Sequence, residues 1–497
     1  MIKHRIIDIL KTFSDKDIRK FREYLNSPFF NKSKKIINGY KFLISFHPDY
    51  TSKNLTIENF YLKTGNKTGY NKSTIDNLLS DLSYQAENYL MYINIQNKEV
   101  KSKDFLIDEL FKRNLNKLIE TNIGKVQSLL KKNNEMDAVF YFNSYKIITD
   151  ELNHNLINKA KSGKSIINDY VDKLSERGMY LTCLFITEMI RERDNLLAMN
   201  KTFDINKESN FVFGFFEEMD FEKVLKFLIS YSKKENLSIV FRIYYNLYMA
   251  FSSIENEKYY RNYKVLFFRN LNIFSSDEKR FHLSRLIRYC KNKSSDVKIS
   301  HKYENELLKL YNYVLTKGYY RSSVTNYLPV ELFRTVLHLG LKLKRYKWTM
   351  GFINKFIKEL HPDRRDNMIY FSFAKFYFSR RAFPKVLENL HNIELNHFML
   401  KVDLRNLMLM TYYELNEFES ALSLVDSYNH FLKYDKTLSK AEKTRAKDFV
   451  NILHKLILHR TNSRYRYKCN IDIEKVKDLP LKNWIEEKIF QLDKFQI

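Results

Sequence analysis

Apolar residues recur along this chain at intervals of three and four. Ile18, Phe21 and Leu25 fall on one face of a helix, and Ile75, Leu78, Leu79, Leu82, Ala86, Tyr89 and Leu90 on one face of another. The same period runs through Phe140–Leu152, Ile166–Leu174, Tyr180–Arg193, Phe221–Tyr231 and Phe281–Tyr289. The punctuation is also helical. Ser14 with Asp17, Ser275 with Glu278, and Ser439 with Glu442 have capping-box spacing, which satisfies amide donors at a helix start. Ser73 reads as the cap of the helix that carries Ile75. Pro28 disfavours helical geometry at the residue before it, so the first long helix is expected to stop at Asn26-Ser27; a second runs from about Ser33 to Ser45. With only 10 Gly and 6 Pro in the chain, turns needing a positive or fixed φ are scarce. The expectation is an all-α protein of long helices joined by short polar loops.

Toward the C-terminus the helices become a repeat. Tyr346, Phe383 and Phe418 each stand between two helical runs, 37 and 35 residues apart. The units are FRTVLHLGLKLKRYKWTMGFINKFIKEL, MIYFSFAKFYFSRRAFPKVLENLHNIE and LRNLMLMTYYELNEFESALSLVDSYNHFL. They resemble tetratricopeptide repeats. Tyr412, Phe418 and Ala421 take the aromatic, aromatic and small positions of the third unit. Ala374, Tyr377 and Phe383 fit in the second, with Val386 replacing a small residue, and Gly340 stands where the first unit should have an aromatic. A small residue lets the two helices of a unit approach, and the aromatics fill the angle between them. A further helix follows Ser439 to about Arg460. A last one, Leu481–Asp493, carries Trp484, Ile485, Ile489 and Leu492 and is expected to seal the end of the stack.

The expected architecture is a tetratricopeptide-like α-solenoid with an N-terminal helical cap domain. Residues 1–95 form the N-terminal helical domain, which contains a Gly- and Asn-rich loop from Lys63 to Ser73. Its size also admits a winged-helix module, although the strands of a wing are not evident. Residues 96–300 form a degenerate helical-repeat region, and residues 301–497 the legible repeats with their capping helix.

At 497 residues with 44% apolar composition, the chain can build two or three cores. Its net charge of +27 attracts phosphate or an anionic membrane surface. The Lys excess is spread over many helices, however, and accompanies abundant Asn, Ile, Tyr and Phe, as AT-rich codons produce. Cys183, Cys290 and Cys469 are far apart and form no CxxC pair, which fits reduced thiols in the cytoplasm. Asp8 interrupts the first apolar run, so no secretory segment is expected, and no stretch reaches the length of a membrane span.

Several segments in order along the chain resemble a family of uncharacterised helical proteins common in Bacteroidota. They are FREYLNSPFFN, YNKSTIDNLLSDLSYQAENYL, KLYNYVLTKGYY, YKWTMGFINKFIKEL, LRNLMLMTYYELNEFE and KNWIEEKIFQL. The resemblance implies a helical bacterial cytoplasmic protein, and carries no active-site residues.

Motifs for catalysis are missing. The sequence contains no GxxxxGK[ST], GxGxxG, HExxH or GxSxG. The nearest histidine pairs, His454/His459 and His391/His397, have the wrong helical spacing to share a metal, so neither metal nor cofactor is expected. Glu217/Glu218 and Glu486/Glu487 are adjacent and diverge on their helices. Two segments interleave cations with rings. One has Lys258, Arg261, Lys264 and Arg269 among Tyr259, Tyr260 and Tyr263; the other has Arg460, Arg464, Arg466 and Lys468 around Tyr465 and Tyr467. They read either as base-stacking platforms or as ordinary helices with rings inside and cations outside.

The repeat register assigns a groove to the first helix of each unit: Glu331, Arg334 and His338; Met368, Phe371 and Lys375; Asp403, Asn406, Met410 and Tyr413. That mixture of charged and amphipathic side chains suits a peptide or extended protein segment. The expected function is a non-catalytic scaffold or adaptor that binds another protein. The alternatives are a nucleic-acid-binding solenoid and an enzyme whose site is assembled only in three dimensions.

Overall fold

The structure is a computed structural model, and it describes residues 2–65, 71–132, 135–158, 164–199, 209–232, 235–296, 298–321, 325–394, 401–436, 438–461 and 479–494. All regular structure among these residues is helical, and no strand is present among them. The chain divides into two compact units, Met1–Asp220 and Phe221–Ile497, a boundary inside the region expected as 96–300.

The first unit contains α1 (Arg5–Lys11), α2 (Asp15–Asn26), α3 (Lys34–Ile44), α4 (Ile57–Lys63), α5 (Lys72–Asn97), α6 (Glu99–Lys112), α7 (Asn116–Lys132), α8 (Ala138–Asn158), α9 (Lys164–Met199) and α10 (Phe211–Glu218). Its first five helices share one core, made by residues between Ile2 and Tyr89. Phe21 is central, with ring centroids 5.0 Å from Tyr40, 5.1 Å from Tyr89 and 5.5 Å from Phe13. Such edge-to-face and tilted contacts are favoured by the ring quadrupoles. Both halves of the Ser14–Asp17 capping box are made, and α2 ends at Asn26 with Ser27 extended before Pro28. Asn31 holds the following corner: its amide donates to Leu25 O at 2.9 Å while its carbonyl accepts from Ser33 N at 2.9 Å. Helix α5 starts two residues earlier than expected, because Asn71, and not Ser73, caps it through Thr74 N. Of the expected 63–73 loop, residues 66–70 lie outside the described residues.

The second unit contains α11 (Phe221–Tyr231), α12 (Glu235–Ser252), α13 (Glu257–Arg269), α14 (Ser276–Lys293), α15 (Ser300–Thr316), α16 (Val330–Lys342), α17 (Tyr346–Phe356), α18 (Pro362–Ser379), α19 (Phe383–His391), α20 (Lys401–Glu414), α21 (Phe418–Tyr434), α22 (Lys440–Thr461) and α23 (Leu479–Lys494). Tyr346, Phe383 and Phe418 are the first residues of α17, α19 and α21, the second helices of three successive hairpins. The first helices of these hairpins also touch in sequence: α16 meets α18, α18 meets α20, and α20 meets α22.

One turn closes all three hairpins. Lys344, Arg381 and Asn416 sit at φ 55°, 57° and 59° in the left-handed region. The next amide reaches back five residues: Arg345 N to Gly340 O at 2.9 Å, Ala382 N to Tyr377 O at 3.0 Å, and Glu417 N to Tyr412 O at 2.9 Å. These are Schellman closures, which satisfy carbonyls left open at a helix end. The same turn joins α6 to α7, where Asn114 has φ 55° and Leu115 N bonds Leu110 O at 3.1 Å.

Four residues after each turn's last residue a buried side chain faces the partner helix: Thr349, Val386 and Ala421, all fully buried. Gly340 aligns with Tyr377 and Tyr412, and the structure shows why no aromatic stands there. The ring of Trp348 and the hydroxyl of Thr349 fill the space, standing 3.2 and 2.5 Å from where a Cβ on Gly340 would lie. The ring has moved from the first helix of the hairpin to the second.

Candidate functional site

A cleft of about 580 Å³ opens on α16, α18 and α20, with α23 at its edge. Seven of the ten residues assigned by the repeat register line it: Glu331, Arg334, His338, Phe371, Lys375, Asp403 and Asn406. They meet because α16, α18 and α20 lie side by side, so residues three and four apart on each helix face one space. Thr335, Leu337, Leu341 and Leu481 complete the lining.

The other three assigned residues are not in it. Met368, Met410 and Tyr413 are buried at 1%, 6% and 3% exposure. Met410 and Tyr413 belong to a core cluster with Trp484 and Ile485 of α23. The Tyr413 ring takes Trp484 edge-on at 5.5 Å. The last helix therefore covers part of the row of positions expected to face a groove. Ile489 is partly buried against the same cluster; the side chain of Leu492 lies outside the described residues.

Charge inside the cleft is largely arranged around Phe371. The Arg334 guanidinium forms an ion pair with Asp403 and stands 6.0 Å from the Phe371 ring centre. Lys375 Nζ, one turn along α18, stands 5.6 Å from the same ring. Burial pulls the Arg334 pKa down, with Glu331 opposing the shift; the group still remains a cation, since guanidinium does not deprotonate in proteins. At the floor, Asn406 Oδ1 accepts from Tyr428 OH at 3.0 Å. Glu331 and His338 stand exposed at the rim.

Polar side chains also lie buried elsewhere in this unit. His282 is fully buried, with Tyr263 OH 2.8 Å from its Nδ1 and Glu278 Oε2 3.6 Å from its Nε2. Tyr244 OH donates to Glu278 at 3.2 Å. The rings of Phe267, Phe274 and Phe281 pack around the imidazole within 5.1 Å. Glu278 thus turns inward and leaves its half of the expected capping box unmade, although Ser275 Oγ still caps α14 through Glu278 N. Cys290 Sγ lies 3.0 Å from Tyr260 OH, and burial pushes its thiol up to about 12. A thiol held so far above neutral pH is not a nucleophile.

Comparison with protein-family models, curated proteins and solved structures finds no match to this chain.

The basic-aromatic segment on α13 places its rings inward. Tyr260 and Tyr263 are buried at 5% and 1%, Lys258, Arg261 and Arg269 are exposed, and Lys264 pairs with Glu306. Tyr260 stacks on Tyr289 at 4.2 Å, which leaves its face unavailable to a base. In the second segment only Arg460 is described. It bonds Asn416 Oδ1 at 2.9 Å and sits 5.9 Å from the Tyr413 and Phe418 rings; Arg464, Tyr465, Arg466, Tyr467 and Lys468 lie outside the described residues. Among the described residues no helix is long and apolar enough to cross a membrane, and no group of three or more His, Cys, Asp or Glu side chains is placed to hold a metal ion.

Proposed function

We propose that this protein is a non-catalytic scaffold or adaptor whose hairpins stack as a tetratricopeptide-like α-solenoid, and that its cleft receives a segment of another protein. One observation carries the reading. Seven side chains of mixed charge, contributed by three successive hairpins, converge on a single open cleft. Such convergence is what a repeat array offers an extended partner. Arg334 and Asp403 already neutralise each other within it. The lining as a whole carries Glu331 and Asp403 beside Arg334 and Lys375, two charges of each sign, which favours a polypeptide over a polyanion. The same reading includes a cytoplasmic setting, consistent with two buried free thiols, and kinship with the Bacteroidota helical family.

The nucleic-acid alternative keeps the net charge of +27 but loses the buried rings of α13 as stacking platforms. The two readings separate in one experiment. The wild-type chain and the double variant Glu331→Lys/Lys375→Glu are each used to capture material from native lysate at roughly 0.3 M salt, which strips weak phosphate contacts. The expected result is a protein retained by the wild type and absent from the variant, with equal unfolding midpoints. Identical retained proteins would remove the cleft from the function, and a 260/280 nm ratio typical of nucleic acid would replace the protein partner.

A further inference from the structure

One helix of the chain lies against the hairpins through specific anchors. Helix α23 is amphipathic, with Leu481, Trp484, Ile485, Lys488 and Ile489 at helical spacing on one side. Leu481 lines the cleft, Ile485 is fully buried, and Trp484 is 7% exposed. On the opposite side Phe490 is 60% exposed and Glu486 is also exposed. The anchors are specific. Glu414 Oε1, at the end of α20, accepts from Trp484 Nε1 at 2.8 Å and pairs with Lys488 Nζ at 2.6 Å. Lys488 is 2% exposed, so one carboxylate receives an aromatic N–H and a desolvated cation from adjacent turns of the same helix. Arg381, in the turn of the preceding hairpin, adds a contact to Glu487 at 2.6 Å.

This is the chemistry of a helix lying in a groove. Three features mark the seat as a docking site as well as a piece of core. It lies on the row of α20 that continues from Asp403 and Asn406 in the open cleft to Met410 and Tyr413 beneath α23. The cleft is continuous with it through Leu481. The seat's polar centre, a desolvated Lys–Glu pair, adds specificity more than stability, since burying both charges offsets most of their attraction.

We propose that the seat of α23 is an acceptor for an amphipathic helix of a partner protein, one that carries an aromatic residue and a lysine or arginine one turn apart to meet Glu414. In the free chain α23 is the intramolecular occupant. A partner helix takes its place and extends into the cleft at the Leu481 end. This rests on the reading of the array as a protein-binding scaffold and specifies its ligand.

The test uses the full chain and, as probe, a fluorescent synthetic peptide of residues 479–494. The variant Trp484→Ala/Lys488→Ala removes both anchors from the internal helix and leaves the seat intact. The expected result is peptide binding to the variant and about tenfold or weaker binding to the wild type, whose competent state is rarely vacant. Adding Glu414→Gln to the variant abolishes peptide binding. In the wild type, hydrogen exchange of α23 amides proceeds through a local opening that leaves α20 and α22 protected. A folded variant that ignores the peptide overturns the proposal, as does a variant that fails to fold or α23 exchange only through global unfolding. A wild-type dimer with α23 exchanged between copies would put a second copy in place of the partner and also overturn it. None of these outcomes depends on Glu331 or Lys375, so failure here is distinguishable from failure of the cleft reading.

Discussion

Gly340 and Thr349 are locked in register across the first hairpin: a methyl group on Gly340 would stand 2.5 Å from Thr349 Oγ1. Thr349 cannot easily swing away, because it is fully buried and its hydroxyl donates to Arg345 O at 3.0 Å. Replacing glycine by alanine inside a helix ordinarily gains about 0.5–1 kcal/mol. Here overpacking costs about 1–3 kcal/mol and reverses the sign. Gly340→Ala is expected to lower stability in urea unfolding, and Gly340→Ala/Thr349→Ala to be more stable than Gly340→Ala alone. Additive losses in that double-mutant cycle would mean that the contact does not set the cost.

The hairpin turns hold Lys344 and Asn416 at φ 55° and 59°. Lysine pays about 1–2 kcal/mol for this region, while asparagine visits it more readily. Lys344→Gly is therefore expected to raise stability by about 0.5–1 kcal/mol after the entropy of the added glycine, and Asn416→Gly to change it little. Thermal unfolding of the two variants side by side checks the ordering.

Lys146 stands among three carboxylates, 3.6 Å from Asp104, 3.0 Å from Asp108 and 3.1 Å from Asp150. Burial is the main cause that pushes the Asp150 carboxyl up to about 6, against the pull of Lys146. A carboxyl with a raised folded pKa holds its proton more tightly when folded. It therefore favours the fold at low pH and loses that contribution as pH rises from 3.8 to about 6. Lys146→Met removes the cation that pairs with all three carboxylates. Its cost should be small near pH 4.5 and about 2–3 kcal/mol at pH 7, below the full value for a buried pair because Lys146 is partly exposed. Urea unfolding at the two pH values would show equal losses if the carboxylates did not depend on Lys146.

Cys183 and Cys290 are both fully buried, and the Cys290 thiol is pushed up to about 12. In a Cys469→Ser variant at pH 8, a thiol reagent is expected to react with neither until the chain opens, at a rate at least about a hundredfold below that in denaturant. Rapid labelling of the native variant would show that one of these cysteines is reachable.

The sequence disclosed the hairpins because three aromatic residues, Tyr346, Phe383 and Phe418, each begin the second helix of a pair. It disclosed the turns poorly, since Lys, Arg and Asn occupy a position where glycine would have been the signal. The α6–α7 hairpin has the same turn and went unread because Asn116 stands at the helix start in place of an aromatic. Gly340 looked like a flaw in the repeat, and only the structure shows Trp348 supplying the ring from the other helix. The cleft residues were legible from helical register alone as far along α20 as Asn406, except Met368, which α18 turns into the core. Beyond it the register failed, because Trp484 comes back to Tyr413 from 71 positions along the chain, and no local pattern encodes that return.

Helix α23 also ties two neighbouring hairpins together. Its Glu487 reaches Arg381 in the second hairpin turn, and its Trp484 and Lys488 reach Glu414 at the third. One helix thus bridges the turns of two adjacent hairpins. A helix pair inserted between these two hairpins would separate Arg381 from Glu414 and leave one anchor out of reach. The C-terminal helix acts as a gauge that admits one spacing and rejects others.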